Sequence, residues 1–87
     1  MATITKKAQP EWFEAVLSGK KKYDLRLNDF KIQPGDTLIL AEWDPPTKSY
    51  TGRKVEKKVT YVLKTKGAKF WTKEDVEKYG FQIIAFR

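Results

Sequence analysis

Eighty-seven residues, 40% of them apolar, 14% aromatic and 33% charged, suffice for one compact domain and exclude a disordered tail or two separate cores. Without cysteine or histidine, the chain cannot build a disulfide framework, a thiol nucleophile, a zinc finger or a Ser-His-Asp triad. No apolar run is long enough to span a membrane, and Met1 to Lys7 carry no apolar signal core, so a single cytoplasmic domain, residues 1–87, is expected.

Pro10 suits the first turn of a helix, Phe13, Val16 and Leu17 recur at helical spacing, and Gly19 supplies the stop, which predicts a helix over residues 10–18. Trp12 is expected to pack that helix on the sheet. Lys20, Lys21 and Lys22 follow at the helix C-terminus, where the helix dipole favours cations. From Tyr23 the period becomes two, with Tyr23, Leu25 and Leu27 on one side of a strand and Asp24 and Arg26 on the other, polar side. Turn residues follow at Asn28-Asp29 and Pro34-Gly35-Asp36, then a strand from Thr37 to Trp43. Residues 44–52, with Pro45 and Pro46 adjacent, read as a loop. Arg53 to Lys64 is the longest strand candidate, with Val55, Val59, Tyr61 and Leu63 on one parity and Lys57 interrupting them. Thr72 caps a short helix over Lys73 to Tyr79, Gly80 stops it, and Phe81 to Phe86 closes the chain as a strand.

The net charge of +7 is uneven: residues 53–69 hold seven basic side chains against Glu56 alone. A concentrated basic stretch fits a polyanion, so Arg53, Lys54, Lys57, Lys58 and Lys69 are candidate backbone contacts for RNA. The same charge also suits an acidic protein partner or a merely solubilising surface. Trp71, beside Phe70 and between Lys69 and Lys73, is the best placed tryptophan to stack an unpaired base, with Trp43 divided between core edge and stacking surface. The densest constellation is Lys20, Lys21, Lys22, Asp24 and Arg26. Arg26 offers a planar fork for phosphate or a base edge, Lys21 a compact charge, and Asp24 an acceptor for an exocyclic amino group. The simpler reading is an Asp24–Arg26 ion pair that only positions its strand.

Gly19, Lys21, Asp24 and Arg26 resemble the Gly-x-Lys-x-x-Glu-x-Arg signature of ASCH domains in the PUA-like superfamily, with Asp24 in place of the glutamate. Pro10 to Phe13, Val16 to Gly19, Pro34 to Asp36, Leu38 to Leu40, Glu42 to Asp44 and Tyr50 to Arg53 resemble a short stand-alone bacterial and phage subgroup, although its first-strand histidine is missing here. The resemblance covers roughly residues 9–87. It implies an α+β fold: a small PUA-like β-barrel of five to six strands, an N-terminal helix and a short helix before the last strand. It also implies a cleft between helix and barrel for RNA or a nucleotide-like ligand. Separately, no cofactor, metal or membrane partner is expected, and a monomer is. Some ASCH proteins hydrolyse acylated cytidines with a lysine, a threonine and a glutamate. Lys21 matches the lysine, Asp24 stands where the threonine would be, and Glu74 is the candidate glutamate. Lacking the hydroxyl, the chain is read first as a binding module and second as such an amidohydrolase.

Overall fold

The computed structural model describes residues 1–64 and 72–87. In chain order the elements are β1 (Thr3–Ala8), α1 (Pro10–Leu17), β2 (Tyr23–Leu27), β3 (Thr37–Asp44), β4 (Ser49–Lys64), α2 (Lys73–Tyr79) and β5 (Phe81–Phe86). Five strands join in one sheet in the order β1-β3-β4-β5-β2, with β1 parallel to β3 and the other pairs antiparallel. The 16-residue β4 pairs with β3 over its first part and with β5 over its last, so one long strand carries the sheet round the core.

The inner face of the sheet holds Leu38, Leu40, Val59, Ile84 and Phe86, all buried, and α1 covers it with Phe13 and Val16. Burying each such side chain stabilises the fold by about 1.5–3 kcal/mol. Gly19 ends α1 at φ +84°, a left-handed conformation that is inexpensive only without a Cβ. There the amides of Gly19 and Lys21 donate back to the carbonyls of Val16 and Ala15 at 3.1 and 2.9 Å, and the chain turns into β2. The start of β1 is pinned by buried Asp36, whose carboxylate accepts from the amides of Ala2 (2.9 Å) and Gln33 (3.0 Å). Those two backbone donors hold the Asp36 carboxyl below its ordinary range.

The mixed α+β architecture and both helices match the expectation, but the sheet is open and a closed barrel does not form. Among the described residues no backbone ladder joins the edge strands β1 and β2; a side chain spans the gap instead, Arg26 Nη2 donating to the carbonyl of Lys7. Three further departures have local causes. β1 itself was not expected: it alternates Ile4, Lys6 and Ala8 inward with Thr3, Thr5 and Lys7 outward, and inward-facing lysine hides the pattern. Lys6 is accommodated because its ammonium lies 3.8 Å from the centre of the Phe30 ring. β4 begins at Ser49, because Tyr50 and Ser49 pair with Trp43 and Asp44, which confines the loop to residues 45–48. Finally, a bulge between Val59 and Tyr61 reverses the parity of β4. Val55, Lys57 and Val59 therefore face inward, whereas Tyr61 and Leu63 face out, 62% and 50% exposed.

Candidate functional site

The site grows from the seam between the two sheet edges. As expected, Asp24 and Arg26 share one face of β2, and that polar face is turned inward. Asp24 pairs with core residue Ile84 and is buried, Arg26 pairs with buried Gln82, and Tyr23, Leu25 and Leu27 stand half exposed on the outer face. A buried carboxylate is stable only when paired. Here Arg26 Nε donates to Asp24 Oδ2 at 2.5 Å, and Lys21 Nζ lies 3.7 Å from Oδ1. With its Nη2 on the Lys7 carbonyl, the Arg26 fork serves this carboxylate and the backbone of the opposite edge. The Asp24–Arg26 ion pair thus fixes the width of the seam.

Over this pair opens a cleft of about 460 Å³, walled by Trp12 from α1 and Trp43 from β3 and reached by Lys7, Gln9 and Lys21. That size lies in the ordinary range for small-molecule sites. Trp12 is 51% exposed rather than part of the core, because Phe13 and Val16 are the residues α1 turns inward. Trp43 is braced by Tyr50, edge to face, at 4.9 Å between ring centres. A lysine ammonium stands over each tryptophan: Lys7 Nζ lies 3.8 Å from the Trp43 ring centre, and Lys21 Nζ 5.7 Å from that of Trp12 and 5.3 Å from that of Tyr23. The arrangement offers flat aromatic walls and two lysine ammoniums at one mouth.

The basic residues expected to track a backbone are divided between the two faces of the sheet. Lys54 and Lys58 share the outer face with Lys7 through the pairs Lys7–Ala41, Ala41–Lys54 and Thr37–Lys58. Lys57, opposite Leu38, is half-buried on the inner face. Arg53 is committed elsewhere, since Gly52, at φ +97°, sits where the β3–β4 register shifts and Arg53 is turned toward α1. It donates from Nε and Nη2 to the two oxygens of buried Glu42, each at 2.9 Å, reaches Glu14 with Nη2, and lies over the Phe13 ring. These bonds, chiefly that from Arg53 and then the Thr51 hydroxyl at 2.7 Å, hold the Glu42 carboxyl at about 2, and raise Arg53 above its usual value. Arg53 therefore ties α1 to β3.

Lys20 and Lys22 are exposed beside the cleft without lining it. Lys69 and Trp71 fall outside the described residues. Glu74 lies on α2 in a separate shallow groove with Asp75, Glu77 and Lys78, so the set Lys21, Asp24 and Glu74 does not converge. Sequence reasoning missed Lys7 and Gln9, since β1 was not expected; the adjacency of Gln9 to Pro10 at the helix start was the one local signal for them. Among the described residues no group of acidic side chains could hold a metal, and no helix is long and apolar enough to cross a membrane.

The architecture is found elsewhere. The crystal structure of hypothetical protein PH0355 superposes on the whole of this chain and on 98% of its own, with a TM-score of 0.67 at 24% identity, a likeness of fold alone. In sequence, the chain is 45% identical over 56 residues to the "Uncharacterized 12.9 kDa protein in GpA 3'region" of Escherichia phage P2. That stretch is 64% of this chain and 50% of the phage protein, so the likeness spans about half of that relative. Residues 5–75 match a family profile, which takes in most of β1 and all of α1, β2, β3 and β4, the elements that build the cleft. By that match the chain belongs to the family described as "Domain of unknown function (DUF3850)".

Proposed function

We propose that the chain is a nucleotide- or RNA-binding module whose ligand enters the cleft at the β1–β2 seam. The observation that carries this reading is the pairing of each wall tryptophan with a lysine ammonium at the mouth of one cavity. A base would lie on Trp12 or Trp43, displacing the ammonium from the ring face toward a phosphate, and Gln9 would meet the base edge. Stacking on an aromatic ring is worth about 1–3 kcal/mol per base. Arg26 and Asp24 would act as positioning residues, holding Lys21 and the Lys7 backbone on either side of the ligand.

The test is a tryptophan-fluorescence titration with cytidine 5′-monophosphate and with pentacytidylate, in low and raised salt. Binding to both is expected, weakening about 5- to 150-fold in Trp12→Ala from the loss of one stack. Lys7→Ala should flatten the salt dependence for pentacytidylate by about 0.7 in the log–log slope, the value for one phosphate contact on a single strand. Binding that is unchanged in Trp12→Ala and indifferent to salt would overturn the reading.

A further inference from the structure

The outer face of β4, β5 and β2 carries an exposed aromatic row that the cleft does not use. Tyr23 on β2 and Tyr61 on β4 both pair with Ala85 of β5, so two tyrosines, 50% and 62% exposed, flank one alanine across three adjacent strands. Their backbones stand two strand spacings, or about 9.5 Å, apart. Ala85 between them contributes only a methyl group to the outer face. The bulge at Thr60 makes this row, for without it Tyr61 would face the core.

Charge surrounds one end of the row. Just past the end of β5, Lys58 and Arg87 exchange backbone hydrogen bonds at 3.2 and 3.4 Å; Arg87 lies two residues beyond Ala85 on the same outer face, and the exposed Lys58 ammonium rests 3.6 Å from Met1 Sδ. Lys21 Nζ stands 5.3 Å from the Tyr23 ring. Tyr23 also lines the cleft, because β2 is the edge strand between cleft and outer face. The cleft and the aromatic row therefore share Tyr23, with the Lys21 ammonium beside it.

We infer that Tyr23, Ala85 and Tyr61 form a second ring-stacking subsite, and that the occupant of this face is the next nucleotide of the strand whose first nucleotide enters the cleft. The inference rests on the reading of the cleft as a nucleotide site and extends it. The ligand is a single-stranded oligonucleotide rather than a free nucleotide, with Lys21, Lys58 and Arg87 meeting the phosphates between the two bases. A chain of net charge +7 favours this polyanion over a second copy of itself on the same face.

The experiment compares cytidine 5′-monophosphate with pentacytidylate on the wild type, on Tyr61→Ala and on Tyr61→Phe, with the sedimentation mass of each protein measured alongside. Tyr61 does not line the cleft, so the mononucleotide should bind all three alike. Pentacytidylate should bind the wild type at least about tenfold tighter than the mononucleotide, as one added stack implies. Tyr61→Ala should lose most of that gain and Tyr61→Phe keep it. Equal pentacytidylate affinity in the wild type and Tyr61→Ala overturns the subsite while leaving the cleft reading intact. Failure of both probes to bind the wild type overturns both. A wild-type dimer that becomes a monomer in Tyr61→Ala assigns the face to a second copy instead and overturns the inference.

Discussion

Replacing Arg26 by alanine breaks its bond across the two sheet edges and strands a carboxylate. The Asp24 side chain is 8% exposed, and its remaining cation, Lys21, is 3.7 Å away. Stranding a fully buried charge costs about 3–5 kcal/mol. Lys21 stays near, and the Arg26 side chain is 24% exposed, which admits water to the space it leaves. Both reduce the cost, to about 2 kcal/mol, the scale of a charged hydrogen bond left unmade. For a domain of this size that lowers the midpoint of thermal unfolding by about 8–16 °C. Asp24→Ala strands nothing comparable, since Arg26 can turn to solvent, and should cost about 1 kcal/mol. The double variant should cost about 2 kcal/mol rather than the sum, a coupling of about 1 kcal/mol. Urea denaturation of the four proteins measures it. Single effects that add to within about 0.5 kcal/mol would refute the claim that this pair holds the seam.

The Glu42–Arg53 link gives a second test. Glu42 is held at about 2 against an ordinary 4.5, so the folded state binds its proton more weakly than the unfolded chain. The stability it contributes is complete above pH 4.5 and drains away as the pH falls toward 2; Glu42→Gln should flatten that part of the stability curve, and an unchanged acid limb would count against the assignment. Trp12→Ala, at a half-exposed position outside the core, should move the unfolding free energy by no more than about 0.5 kcal/mol; a loss of several times that would return Trp12 to the core. Gly52→Ala, forced to keep a positive φ, should lose about 1 kcal/mol or more by chemical denaturation, and no loss would mean the backbone relaxes there.

Much of the frame can be read in the chain. Pro10, Gly19, Gly80 and the period-two run of Phe81 to Phe86 bound their elements because each acts locally, through φ, a missing N–H or alternation. What escaped depends on contacts distant in sequence. β1 needs β3 beside it before its lysines make sense, and the bulge at Thr60 arises from pairing with β5. The orientation of β2 is the same kind of case: a strand reading Tyr-Asp-Leu-Arg-Leu turns its charges inward only because Lys21 and the Lys7 carbonyl wait there. Lys21, Asp24 and Arg26 were legible as one cluster, but the chain alone did not show that Arg26 serves the protein rather than a ligand. Nor could spacing reveal that Arg53, in the middle of the basic run, is held by Glu14 and Glu42, one of them 39 residues away.

The most direct measurement is amide and indole chemical-shift mapping of the whole chain during titration with cytidine 5′-monophosphate. Saturable shifts are expected at Lys7, Gln9, Lys21 to Arg26 and the indoles of Trp12 and Trp43, with the amides of Lys54 and Lys57 unmoved. Shifts confined to the lysines of β4, or none in the seam at saturating nucleotide, would contradict the cleft as a nucleotide site.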